Sequence, residues 1–269
     1  MNETSTSFEA ITLSVSEGIA QLTLNRPASL NALNDAMFRE IPLAVAQATQ
    51  AGARALLITG AGRGFCSGAD LVGRGFAPTS SEAQREAVNR AGFERVISLV
   101  RALNEAPMPV VCAINGVAAG GGVGIALAGD VILMASSARF VLTFVPKLGL
   151  VPDVGATWLM TRMVGRARTM AASLLGDAIS AQDAERWGMV ARLVDDAQLH
   201  AEAMAVCRRL ADGPQVAVAR TRRLVDAAPE MPIGAHILLE RDMQVGLIGS
   251  AEHLEGIAAF REKRPARFS

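Results

Sequence analysis

The sequence predicts an α/β fold, a core of short buried strands separated by helices, followed by a helical C-terminal region. Three observations lead there. Apolar runs of strand length, such as residues 55–59 and Val110–Ile114, recur as far as Val194 with helical patterns between them. From about Asp196 onward only helical patterning remains, enough for three or four helices with few turn signals. Glycine clusters stand after two of the buried strands, where the chain has to turn within a crowded core.

Taken in order, residues 8–13 and 19–24 alternate or run apolar around Glu17-Gly18, which predicts a hairpin. Asn25-Arg26-Pro27 ends its second strand, because proline has no N–H for the ladder. Asn34 is placed to cap a helix with Met37, Ile41, Val45 and Ala48 on one face. Residues 55–59 form a buried strand stopped by Gly60-Ala61-Gly62, and the glycine-rich residues 64–71 follow. A polar segment near Pro78 to Ser81 is expected to be mobile. Residues 81–103 read as a long amphipathic helix, broken by Pro107 and Pro109 ahead of the strand at Val110–Ile114. Residues 116–124 are a glycine turn opening into a short core helix, and residues 130–134 and 139–143 are further strands. After Asp153 the pattern is mostly helical. Ser180-Ala181-Gln182-Asp183 forms a capping box, Gly188 stops that helix, and residues 190–194 are the last strand. No repeat of fixed period is visible.

Composition excludes several functions. A chain of 269 residues can bury a sizeable core in one large domain or two. With 26 basic and 26 acidic residues it lacks the basic footprint of a general nucleic-acid binder. Three cysteines cannot all pair, so a reducing, cytoplasmic setting is expected. The first residues show no basic stretch ahead of an apolar core, so no signal peptide is expected. Residues 110–129 are uncharged and near the ~20 residues of a membrane span. Their glycines, 116, 120, 121, 122, 124 and 129, suit close backbone approach better than lipid, and no membrane partner is expected. Tyrosine is absent and only His200, His236 and His253 are available, so side chains for acid–base work are scarce.

Chemistry must therefore draw on exposed backbone. Both glycine turns place small residues between a buried strand and a helical pattern, where free N–H groups and the helix dipole favour an anion. Two N–H groups converging on one oxygen make an oxyanion hole; tight strand–helix packing alone is the other reading. Neither turn is a dinucleotide fingerprint, because the position after Gly122 and Gly124 that would need glycine is Leu127.

Six blocks then carry a resemblance. They are Leu24-Asn25-Arg26-Pro27 with Leu30-Asn31-Ala32-Leu33, residues 64–71, residues 115–122, residues 149–153, residues 184–190 and the tail residues 260–265. In this order and across essentially the whole chain, they resemble the crotonase, or enoyl-CoA hydratase/isomerase, superfamily. The resemblance implies a spiral of ββα units over residues 1–195, carrying the active site, and a helical trimerisation region over residues 196–269. It implies an acyl-CoA thioester substrate, with coenzyme A entering as part of it and no separate cofactor or metal. A homotrimer or a hexamer built from two trimers is expected. The oxyanion donors fall on the backbone N–H groups of Ala69 and Gly121, and Ser67, Gly68, Asp70, Leu71 and Gly120 border the bound thioester. Leu30 and Val145 join the substrate-binding set, Phe144 and Trp158 are expected walls for the acyl group, and Arg26, Lys263 and Arg264 read either as cations for the CoA phosphates or as solvated charges.

The departures are specific. The two glutamates with which hydratases of this family handle water fall on Gly124 and Val145. A carboxylate stands instead at Asp153, before a helix, where it reads either as an N-cap or as an acid–base group. Residues 144–153, 157–159 and 165–168 most resemble the branch with the ring 1,2-epoxyphenylacetyl-CoA isomerase, in which an aspartate here is the acid–base. The expected reaction is an isomerisation through an enolate; hydration and acyl-CoA binding without efficient catalysis are the alternatives. The dehalogenase branch also carries an aspartate here, as a nucleophile, but is less similar around Val151-Pro152. Residues 64–68 also read superficially as a cysteine nucleophile turn around Cys66, without a histidine nearby in sequence. Asp70 and Asp130 are alternatively expected to bond turn backbone.

Overall fold

The computed structural model describes residues 4–72 and 81–268. Of the polar segment near Pro78, only Ser81 lies among them. The chain starts with β1 (Thr4–Ser7), β2 (Ile11–Ser16) and β3 (Ile19–Leu24), antiparallel neighbours in that order. Glu17 and Gly18 turn the hairpin with φ of 52° and 74°, the left-handed pair a two-residue hairpin turn requires. The Asn34 side chain accepts from Met37 N at 3.0 Å and starts α1 (Asp35–Gln50), whose Met37, Ile41, Val45 and Ala48 are buried as the spacing predicts.

From there the chain repeats one motion. β4 (Ala55–Gly60) joins the first sheet beside β3, β5 (Gly64–Cys66) starts a second sheet, and α2 (Glu82–Asn104) returns. β6 (Val110–Ile114) pairs with β4, β7 (Val117–Ala119) pairs with β5, and α3 (Gly121–Leu127) follows. β8 (Val131–Ala135) pairs with β6, β9 (Arg139–Val141) pairs with β7, and α4 (Ala156–Leu175) follows. All these pairings are parallel. The ββα spiral is thus present, and it escaped periodicity analysis because its connections differ so much in length. The second strand of each unit has only three residues, and of these only β9 was legible, within residues 139–143.

β10 (Ile179–Ser180) closes the smaller sheet antiparallel to β9, and β11 (Arg192–Val194) closes the larger one parallel to β8. Between them lies α5 (Ala181–Trp187): Ser180 accepts from Asp183 N at 3.1 Å, and Gly188 ends the helix at φ 80°. The helical region holds α6 (Leu199–Ala211), α7 (Gln215–Ala227), α8 (Ile233–Val245) and α9 (Ala251–Glu262). The first of these belongs to the core: Leu199, Ala203, Cys207 and Ala211 of α6 are buried against β4, β6 and β8. Two arginines fasten this region. Arg54 donates to Ala211 O at 2.6 Å and Gly213 O at 3.1 Å. Arg222 of α7 donates to Asp130 Oδ1 at 2.8 Å and to the carbonyls of Ala106 and Met108.

Two helices differ from expectation. Residues 82–91 of α2 are exposed, and only Val96, Leu99 and Leu103 are buried, so its apolar face covers the last turns alone. Helix α4 breaks at Gly165 (φ 78°, ψ 169°), which leaves Met160 in the core and Met170 at the surface. Among the described residues no helix is long and apolar enough to cross a membrane. The uncharged residues 110–129 are β6, β7 and α3, almost wholly buried.

Candidate active site

The pairing of β5 with β7 brings the two glycine turns side by side. Gly68 (φ +90°) lies against the second turn so closely that a Cβ there would sit 2.8 Å from Ala119 O. A Cβ on Gly120 (φ +51°) would in turn lie 3.6 Å from the Gly68 Cα. Gly68 has no room for a side chain, and at Gly120 it is the left-handed φ that favours glycine. Gly122 seats α3 on β5, where a Cβ would collide with Cys66 O at 2.3 Å. Ala69 and Gly121, one residue beyond the touching glycines, therefore sit at adjoining ends of the two turns. Among the described residues, neither the Ala69 N–H nor the Gly121 N–H meets a backbone acceptor, whereas Ser67, Asp70 and Gly120 all donate to one. Ala69 is exposed, while Gly68, Gly120 and Gly121 are buried.

A strap of residues 26–33 fixes the first turn from outside. Leu33 N donates to Gly68 O at 2.7 Å and Asp70 N donates to Leu33 O at 3.0 Å. Ser67 donates through its backbone N–H to Leu30 O at 2.9 Å and through its hydroxyl to Ser29 O at 3.0 Å. Asn31 is fully buried at φ 57°; its Oδ1 accepts from Arg26 N, and its Nδ2 donates to Ala61 O and Gly64 O. Arg26 donates to Ala32 O at 2.5 Å and to Asp70 Oδ2 at 2.7 Å. The guanidinium expected to meet a phosphate is thus engaged in holding the strap to the turn. Asn115 does the same for the end of β4, accepting from Gly60 N and donating to Gly62 O. The scaffold roles of Asn31 and Asn115 were missed in the sequence. The only sequence-level signal for Asn31 is asparagine's tolerance of left-handed backbone.

The carboxylate arrives from the third unit. After β9 the chain makes one turn of π-helix, Phe144–Leu148, reverses at the left-handed Gly149, and reaches Asp153. Val154 (φ 51°) and Gly155 (φ 74°) are both left-handed, and α4 begins at Ala156. Left-handed backbone at a β-branched residue costs ~1–3 kcal/mol and persists only where packing imposes it. Packing here is tight: a Cβ on Gly124 would lie 2.1 Å from Val154 O, and one on Gly121 would lie 3.0 Å from Val154 Cγ2. The same point on Gly121 is 3.6 Å from Asp153 Oδ1, so the carboxylate stands beside the second turn. The N-cap reading is corrected for the side chain. Asp153 contributes its backbone carbonyl, which accepts from Ala156 N at 3.0 Å, and the cap position of α4 falls on Gly155.

Of the other expected residues, Phe144 is buried with its ring tip 3.7 Å from the Gly120 Cβ position, and Val145 is half-buried beside it. Trp158 is half-exposed on α4, one ring face covered by the Arg162 guanidinium at 4.1 Å, which also reaches Glu230 and Asp226 O. Leu71 is exposed next to Asp70. Lys263 is exposed at the end of α9, while neighbouring Arg264 is bound to Glu255 and Glu262. Asp130 bonds Val110 N as well as Arg222, a structural duty. Cys66 is fully buried and desolvation pushes its thiol up to about 12, so it is no nucleophile at neutral pH. His253 accepts from Gly249 N, His236 lies beside Glu240 and His200 is exposed. Among the described residues no cluster of His, Cys, Asp and Glu could hold a metal.

Comparison with known proteins gives a consistent picture. Residues 14–269 match the family model "Enoyl-CoA hydratase/isomerase". The chain is 42% identical over 264 residues to the 1,2-epoxyphenylacetyl-CoA isomerase of Escherichia coli (strain K12), covering 97% of this chain and 99% of that protein. It is 41% identical over 263 residues to a Rhodobacter capsulatus protein named "Probable enoyl-CoA hydratase", covering 98% and 99%. Among solved structures, it is similar to the enoyl-CoA hydratase of Bacillus anthracis with a TM-score of 0.88 and 29% identity, over 97% of this chain and 99% of that one.

Proposed function

The chain belongs to the enoyl-CoA hydratase/isomerase family, and on that premise we propose that it is an acyl-CoA isomerase with Asp153 as its acid–base. One observation carries this reading. The Asp153 carboxylate stands beside Gly121, where the two glycine turns converge, while positions 124 and 145 carry no carboxylate. A thioester carbonyl oxygen accepts from the N–H groups of Ala69 and Gly121, which stabilise the enolate formed when a neighbouring C–H is lost. Each such donor is typically worth ~2.7–4 kcal/mol in the transition state. Asp153 removes a proton from the α-carbon and returns it to the γ-carbon, so the double bond moves and the composition of the thioester is unchanged. One carboxylate suffices for this transfer, whereas adding water across a double bond also needs a group to activate the water. Gly68, Gly120 and Ser67 shape the oxyanion site, and Leu30, Asp70 and Leu71 flank its CoA side. Phe144, Val145 and Trp158 line the acyl side, and exposed Lys263 is a candidate phosphate contact. Arg26 acts through the strap.

Incubating the protein with 3-enoyl-CoA and with 2-enoyl-CoA, followed by chromatographic separation of the two isomers and mass measurement, tests the proposal. Interconversion without mass change is expected, at a rate reduced ~10²–10⁴-fold by Asp153→Ala while acyl-CoA binding persists. Gain of one water makes the protein a hydratase. Tight binding with no turnover makes it a binding protein, and undiminished turnover by Asp153→Ala removes the aspartate from the mechanism.

The same reading includes self-association as a trimer or a pair of trimers. Exposed Ile237, Leu238, Val245, Ile248, Leu254 and Phe260 on α8, α9 and the turns between them support it. Light scattering on the purified protein gives the mass directly.

A further inference from the structure

We propose that Gly124 and Val154 are positioning residues that aim the Asp153 carboxylate. The inference rests on the proposed role of Asp153 and deepens it. Gly121 and Gly124 are three residues apart on α3 and so share one face of it. Val154 is seated on that face and is almost wholly buried. Its carbonyl lies where a Cβ of residue 124 would be, 2.1 Å away, and its Cβ lies 2.8 Å from the same point. Its Cγ2 and Leu33 Cδ1 together fill the space in front of Gly121, at 3.0 and 3.2 Å from the Gly121 Cβ position.

The left-handed backbone of Val154 follows from this seat. A β-branched residue takes φ 51° only when its surroundings impose it, and here both its carbonyl and its side chain are held by α3. The next residue, Gly155, is also left-handed, and the Ala156 N–H closes the turn on Asp153 O. Asp153 is thus the first residue of a turn whose second residue is fixed to the helix that presents the Gly121 N–H. Carboxylate and donor share one support.

The two positions are consequently exclusive. Any side chain at residue 124 meets backbone atoms of Val154, which cannot swing aside as a flexible side-chain tip can. It must displace the turn that carries Asp153. A carboxylate added at position 124 therefore does not supplement the one at 153, and Gly124→Glu is expected to lose isomerisation without gaining hydration.

The test is a double-mutant cycle read in steady-state kinetics. Gly124→Ala and Val154→Gly are each measured alone and combined with Asp153→Ala. Gly124→Ala is expected to lower kcat by ~10²-fold, the usual consequence of misplacing a reacting group by about an ångström, with KM within ~3-fold of the parent. Val154→Gly permits the same backbone without the side-chain anchor and is expected to lower kcat ~10-fold. Neither substitution should cost anything further once Asp153 is alanine, because both act through it. Equal losses in the two backgrounds would mean a general structural role and overturn the proposal, as would unchanged kcat in both single variants. If Gly124→Ala does not fold, judged by thermal unfolding and acyl-CoA binding, Val154→Gly decides alone. If Asp153→Ala itself turns over normally, the parent reading fails, which is a different outcome from failure of the positioning claim.

Discussion

Gly68 and Gly120 touch across the smaller sheet: a Cβ on Gly120 would lie 3.6 Å from the Gly68 Cα, within ordinary contact distance. Each belongs to a different ββα unit, so this contact, beside the β5–β7 pairing, sets how closely the two backbone segments proposed to bind the thioester oxygen approach. A methyl group on Gly68 would sit 2.8 Å from Ala119 O at a left-handed φ of 90°. Gly68→Ala is expected to part the two turns and lower kcat ~10²–10³-fold, as loss of an oxyanion donor does. Steady-state kinetics beside a thermal melt separates this loss from simple unfolding.

Asn31 is a second point of vulnerability, through stability rather than chemistry. It makes three hydrogen bonds from a fully buried position, to Arg26 N, Ala61 O and Gly64 O. Asn31→Ala strands those partners and is expected to cost about 3 kcal/mol. Urea denaturation reads it as a lower midpoint with an unchanged slope.

Arg222 makes a comparable tie between α7 and the core. Removing its bonds to Asp130, Ala106 O and Met108 O releases the helix from the segments that lead into β6 and β8. Arg222→Ala is expected to cost about 2 kcal/mol, since charged groups bond more strongly than neutral ones. Limited proteolysis should then cut first between residues 212 and 250.

The cysteines give a pH dependence with a definite sign. Burial pushes the thiols of Cys66 and Cys207 up from 9.0 to about 12, and that of Cys112 further still. In the unfolded chain these thiols ionise near their ordinary value, while in the native protein they hold their protons. Above pH 9 the native state therefore binds more protons than the unfolded state, and stability falls as pH rises towards 12. The loss approaches ~1.4 kcal/mol per pH unit for each thiol. Thermal melts from pH 8 to 11 should show it, and Cys66→Ala should flatten the slope. Iodoacetamide at pH 8 should label none of the three in the native protein, a result that also dismisses a cysteine nucleophile.

The sequence made the larger sheet legible because its strands are long enough to carry apolar runs, as at residues 55–60 and Val110–Ile114. It hid β5 and β7, whose three residues each leave no pattern to read, while β9 was legible within residues 139–143. The glycine turns were legible as turns, but their contact was not, since Gly68 and Gly120 are far apart in sequence. Asp153 stood out as a carboxylate before a helix. The strain at Val154 was invisible, because nothing in a valine announces left-handed backbone; only its packing on α3 imposes it.

The alternation of strands between two sheets has one more consequence, for dimensions. The turns after β5 and β7 are the same place in two successive units, so they are separated by the spacing of neighbouring strands, ~4.8 Å. Two N–H donors gripping a single oxygen at ~2.9 Å each stand about that far apart when they approach it from either side. The width of the proposed oxyanion site is thereby borrowed from the β-sheet ladder, set by backbone geometry as long as Gly68 keeps a side chain from coming between the turns.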